Sequence, residues 1–123
     1  MKVKLPIQTK EIKEDKLIKE ISEKEFELDM SLASQIRFEA KFPQLAEKED
    51  LFGYSKRICE IKDMSAAIII SKMKMLYCWF ETDMDFIEFL KMFDLTDELY
   101  VEKLTSKMQE IFNLVFNGSA EKN

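Results

Sequence analysis

The chain contains no histidine, and only two glycines, two prolines and two cysteines among its 123 residues. Without an imidazole there is no His-based triad, no His general base and no His-ligated zinc site. Gly53 and Gly118 are too few to build a phosphate-cradling loop or a dinucleotide fingerprint. Cys59 and Cys78 each fall within an apolar helical pattern, which reads as two reduced, core-packed thiols in a cytosolic protein rather than a disulfide. Long apolar runs are missing too. The greasiest stretch, Met64 to Phe80, is interrupted by Lys72 and Lys74, and the N-terminus offers no apolar run of signal-peptide length. These absences predict a protein that is not an enzyme, with no catalytic residues, no cofactor, no metal and no membrane segment.

Hydrophobic residues make up 46% of the chain, enough for one domain with a core of its own. Against 19 Lys and Arg stand 24 Asp and Glu, and the net charge of −5 works against binding a phosphate backbone, so nucleic acid is not expected as a partner. The acidity is local. Residues 81–102 hold eight acidic side chains and one basic one, while the remainder of the chain is slightly positive.

Hydropathy period sets the expected elements. Val3, Leu5 and Ile7 alternate with polar neighbours, as do Phe26, Leu28 and Met30, which predicts two short strands. Between them Ile12, Leu17, Ile18 and Ile21 sit in a Lys/Glu-rich stretch that reads as a short helix or a mobile connection. From Ser31 the period becomes helical. Ser31 caps a first helix carrying Leu32, Ile36 and Ala40, which ends at Phe42-Pro43. Asp50 caps a second, with Leu51, Tyr54, Ile58 and Ile61 as its stripe. Ser65–Phe80 is apolar on two faces, which fits either the centre of a bundle or a helix covered on one side by another molecule. Thr82 or Asp83 opens a short fourth helix, and Leu95-Thr96 a long fifth one striped by Tyr100, Val101, Leu104, Met108, Ile111, Phe112 and Val115. The fifth helix ends at Asn117-Gly118. The expected architecture is mainly α: one domain with an N-terminal β element over 1–30, a bundle of four to five helices over 31–118, and a flexible tail over 119–123.

Two features suggest contact with a partner. Met75, Trp79, Met84 and Ile87 fall outside the stripes that a four-helix core would use, and Met and aromatic side chains suit a surface accepting varied apolar partners. Glu81, Asp83, Asp85, Glu88, Asp94, Asp97, Glu98 and Glu102 form an acidic patch, in part opposing the positive ends of the last two helices and in part available to steer a basic partner. Asp83-x-Asp85 lacks the glycine and closing Glu of a calcium loop.

Several segments carry a family resemblance: Leu28-Asp29-Met30-Ser31-Leu32, Arg37-Phe38-Glu39-Ala40-Lys41-Phe42-Pro43, Leu51-Phe52-Gly53-Tyr54, Lys74-Met75-Leu76-Tyr77-Cys78-Trp79-Phe80, Phe89-Leu90-Lys91-Met92-Phe93-Asp94-Leu95 and the terminal Lys-Asn. Together they resemble the small tail assembly chaperones of long-tailed phages that infect Gram-positive bacteria. The resemblance covers residues 28–123 and includes no catalytic signature. It implies a protein of the host cell cytoplasm, absent from the mature virion. Such a protein binds the hydrophobic, helical tape-measure protein, keeps it soluble and hands it to the major tail tube protein. It also implies self-association and, because Glu121-Lys122-Asn123 can be encoded on a slippery run, a frameshift-extended form. Two other classes fit the composition: a small acidic inhibitor or DNA mimic of a host enzyme, and a helical adaptor or regulatory protein.

Overall fold

The computed structural model describes residues 1–117. The alternation that starts at Val3 does not stop at Gln8. It runs on through β1 (Lys2–Lys13), and β2 (Lys16–Glu27) returns antiparallel beside it, from Lys13 opposite Lys16 to Lys2 opposite Glu27. Glu14 and Asp15 form the two-residue turn, both with positive φ (52° and 62°), the backbone pattern of a type I′ hairpin. The stretch read as a short helix or mobile connection is therefore the outer half of one long hairpin. Neither turn residue is glycine or asparagine, so the usual sequence mark of such a turn is absent.

Ladder geometry follows from the bonds at its ends. Leu28 donates its N–H to the Met1 carbonyl at 2.7 Å, whereas the Gln8 N–H points out of the hairpin to the Met92 carbonyl at 3.2 Å. Inward and outward backbone groups alternate, so odd-numbered residues of β1 bond to β2 and even-numbered ones face away. Pro6 occupies an outward position, where its missing N–H costs the ladder nothing.

Six helices follow among the described residues: α1 (Leu32–Lys41), α2 (Pro43–Ala46), α3 (Leu51–Cys59), α4 (Ala66–Trp79), α5 (Phe86–Leu90) and α6 (Glu98–Asn117). The fold is mixed α/β, 53% helical and 23% strand, rather than a mainly α bundle of four to five helices. Side-chain caps begin five of the helices: Ser31 accepts from the Ala33 N–H, Asp50 from Gly53, Ser65 from Ile68, Asp85 from Ile87 and Asp97 from Tyr100. Each such cap contributes about 1 kcal/mol. Gly53 sits in the first turn of α3, where a Cβ would lie 3.1 Å from the Asp50 Oδ1 that caps it. The fourth expected helix starts later than its Thr82 or Asp83 signal because Asp85 supplies the cap.

α4 is the central element. Ile69, Met73, Met75, Leu76, Tyr77, Cys78 and Trp79 are all buried, so its two apolar faces are covered by this chain itself. Lys72 is buried as well, and its ammonium donates to the Ile61 carbonyl at 2.9 Å. One core runs from the base of the hairpin to α6. Phe26 of β2 stacks on Phe80 with centroids 4.4 Å apart, and Phe89 of α5 meets both edge-on. Tyr100, Leu104, Met108, Ile111 and Phe112 close it from α6, as their spacing predicts. The Arg37 guanidinium ties α1 to the end of α4, donating to the Cys78 carbonyl at 2.7 Å and pairing with Asp29 at 3.1 Å.

α1 is turned differently from its expected face. Ser34 and Phe38 point inward, while Leu32 and Ile36 are 87% and 64% exposed. Phe38 packs between Phe42 and Tyr54, and an aromatic ring buries more apolar area than the aliphatic stripe would. The terminus expected at Asn117-Gly118 lies partly, and the tail over 119–123 wholly, outside the described residues.

Candidate functional site

The turning of α1 leaves an apolar strip without an internal partner, and that strip borders a groove. Ser31 and Asp50 start α1 and α3 side by side, with the Leu51 N–H donating to Gln35 Oε1 at 2.8 Å. The C-terminal ends of α4 and α6 close the opposite side. The resulting open cavity of about 500 Å³ has Ser34, Leu51 and Trp79 on its floor, Val115 and Phe116 on one wall, and Met30, Leu32 and Phe52 on its rim. Trp79 packs against Phe112 and Phe116, with centroids 6.5 and 5.8 Å away, and Phe116 continues the aromatic surface to Phe52 at 6.2 Å. Phe52 is 63% exposed. The Lys56 ammonium lies 5.3 Å from its ring centre, a contact available to a solvated lysine at little cost.

Comparison of the chain with protein-family models, with curated proteins and with solved structures gives no match.

The four residues expected to meet a partner do not form one surface. Met75 is fully buried between α3 and α4, its sulfur 3.9 Å from Cys59 Sγ. Trp79 is 4% exposed and reaches the groove only as its floor. Met84 is half-buried beside α5, its carbonyl accepting from the Tyr77 hydroxyl, and Ile87 is exposed on α5, away from the groove. Sequence reasoning assigned the surplus apolar surface to α4, whereas the structure puts it on Leu32, Ile36 and Phe52. The Leu32, Ile36, Ala40 spacing was the visible signal.

The acidic patch also divides. Asp94 and Asp97 belong to an internal network. Gln8 Nε2 donates to both at 2.9 Å, Lys10 pairs with Asp94 at 3.2 Å and Lys19 with Asp97 at 3.0 Å. Burial alone would raise the Asp94 carboxyl, but the Thr96 hydroxyl and N–H, Gln8 and Lys10 outweigh it and hold the group well below the usual carboxylate range. Gln8, Lys19 and the Tyr100 N–H lower Asp97 to about 2. Gln8, Lys10 and Lys19 were not identified from the sequence, because their role appears only when the hairpin folds over the start of α6. Glu81, Asp83, Asp85 and Glu88 stay exposed around α5, with Asp85 also acting as its cap. Glu98 and Glu102 are exposed on α6, bordering a shallow cavity with Met64 and Leu95.

No group of three or more His, Cys, Asp or Glu side chains among the described residues is arranged to hold a metal ion. Both cysteines are free, and burial pushes the Cys59 thiol up to about 11 and the Cys78 thiol up to about 12, which disfavours the nucleophilic thiolate. Among those residues no helix is long and apolar enough to cross a membrane. What the groove offers chemically is apolar contact over an aromatic floor.

Proposed function

We propose that this chain is a non-enzymatic chaperone of phage tail assembly, and that its groove receives an amphipathic helix of the tape-measure protein. The observation that carries the reading is the rim: Leu32 and Phe52 stand exposed on either side of a trough floored by Leu51 and Trp79. An amphipathic helix presents apolar side chains at i, i+3, i+4 and i+7, a spacing that fills such a trough without strict sequence demands. Seating those anchors would remove the rim side chains from water, each contributing up to about 2 kcal/mol. The resemblance of residues 28–123 to tail assembly chaperones supplies the identity of the cargo. The host cell cytoplasm is the compartment this implies, and handover to the major tail tube protein is the step that would release the cargo.

An acidic inhibitor or DNA mimic is the weaker reading. Such a protein needs an uncompensated negative surface, yet Asp94 and Asp97 are bonded to Gln8, Lys10 and Lys19.

Co-expression tests the proposal. The tape-measure protein encoded beside this chain is expected to be soluble and to co-elute with it, and to lose both properties when Leu32 and Phe52 are replaced by Glu. A tape-measure protein that remains insoluble beside the folded wild-type chain would sink the reading.

A further inference from the structure

The outer half of the hairpin projects beyond the core and leaves one edge of β2 unused. Odd-numbered residues of β2 carry the outward backbone groups, as shown by the Glu27 carbonyl accepting from Glu81 and the Asp29 N–H donating to Trp79. Those bonds occupy the base. Among the described residues, no backbone bond leaves the hairpin from Leu17, Lys19, Ile21, Glu23 or Glu25. The edge of β1 differs, being bonded at Gln8 to Met92 and blocked at Pro6, whose carbonyl accepts from the Tyr100 hydroxyl.

We infer that the β2 edge pairs antiparallel with the β2 edge of a second copy of this chain. Charge complementarity selects the partner. A twofold axis through Ser22 sets Glu20 opposite Lys24 twice and lets the outward groups of Ile21 and Glu23 bond across the seam, while Lys19, which falls opposite Glu25, keeps its pair with Asp97. Moving the axis to Glu20, Lys19 or Glu23 brings like charges face to face, and an axis through Ile21 retains only the Lys19–Glu23 pairs. Glu20 and Lys24 have no ion-pair partner within the hairpin to compete, because β1 places Thr9 and Leu5 opposite them. The result is a four-stranded sheet with both open edges joined, the usual remedy for an exposed edge. This goes beyond the groove reading and uses none of the groove's residues.

Sedimentation equilibrium of the full chain at several concentrations and low salt tests the inference. The mass is expected to rise from 14.6 kDa toward twice that value. Lys24→Glu and Glu20→Lys each set like charges opposite one another and are expected to raise the dimer dissociation constant about tenfold. The double variant, with both signs exchanged, is expected to restore wild-type association. Glu20 is exposed and Lys24 half-buried, and circular dichroism verifies that each variant is folded. A mass fixed at the monomer value at every concentration overturns the proposal, as does a double variant that associates no better than the singles. Since the groove is untouched, cargo binding in the single variants separates failure of this inference from failure of the chaperone reading.

Discussion

The side-chain amide of Gln8 donates to the Asp94 carboxylate at 2.9 Å across 86 positions of sequence. Gln8 is 3% exposed, and the Asp94 carboxylate is nearly as enclosed. Replacing Gln8 with Leu preserves the apolar volume and removes the donor, leaving the carboxylate with fewer partners than its burial requires. The expected cost is about 2 kcal/mol, in the range for a hydrogen bond to a charged group. Urea denaturation of the two proteins measures it. Unchanged stability would mean that Lys10 and Thr96 alone satisfy Asp94.

The same network makes stability depend on acid. Asp94 and Asp97 are held below their ordinary value of 3.8, Asp97 at about 2. A carboxylate depressed in the folded state binds its proton more readily when unfolded, so its stabilisation is complete above the unfolded value and is lost as pH falls through the folded one. Thermal melts are therefore expected to hold steady from neutral pH to about 5 and then drop between about 4 and 2. An Asp94→Asn, Asp97→Asn double variant is expected to melt lower than wild type at pH 7, with the gap narrowing steadily below about pH 4 as the wild-type carboxylates take up protons. A gap at pH 2 as wide as that at pH 7 would assign the effect to packing instead.

How much of this was legible depends on which physical signal each region carries. The caps at Ser31 and Asp50 and the α6 stripe from Tyr100 to Phe112 were readable because they act within one helix. The long hairpin was not, since Ile18 and Ile21 lie on opposite faces of β2 at a separation that also suits a helix, and Glu14-Asp15 bears no glycine. The orientation of α1 depended on competition between Leu32, Ile36 and Phe38 for the core, which only the packed structure resolves. The misplacement of Trp79 has a different cause: α4 is apolar on two faces, and the sequence alone does not show that this chain covers both, leaving Trp79 4% exposed.

The turn holds untapped stability. Glu14 and Asp15 adopt positive φ, which costs a residue bearing a Cβ about 1 kcal/mol each. Changing Glu14→Asn and Asp15→Gly fits the side chains to the backbone already present. Amide exchange over residues 10–21 is expected to slow several-fold. Exchange as fast as in the wild type would show that turn strain does not limit opening of the arm.

Ser55 offers a second stabilising change. Its hydroxyl is fully buried in α3 without a hydrogen-bond partner among the described residues, and an unmade bond of that kind costs roughly 1–3 kcal/mol. Ser55→Ala is expected to raise stability by about 1 kcal/mol in a denaturant titration. A loss of stability would reveal that the hydroxyl is satisfied in solution.

The groove yields the sharpest contrast, because rim and floor differ in burial but not in apolar character. Leu32 and Phe52 are exposed, so Leu32→Glu and Phe52→Glu bring no charge into the core and are expected to leave the melting temperature within about 2 °C of wild type. Trp79 is 4% exposed and packed on Phe112 and Phe116, so Trp79→Glu buries a charge without a partner. It is expected to cost at least about 3 kcal/mol, enough to unfold a marginal domain. Binding of an amphipathic tape-measure peptide should fall by about tenfold or more for either rim variant while the fold persists. Measuring helicity and peptide affinity on the same samples separates the two effects. If the rim variants bind as wild type, the helix does not lie between Leu32 and Phe52, and the exposed apolar face of α1 must be covered in some other way.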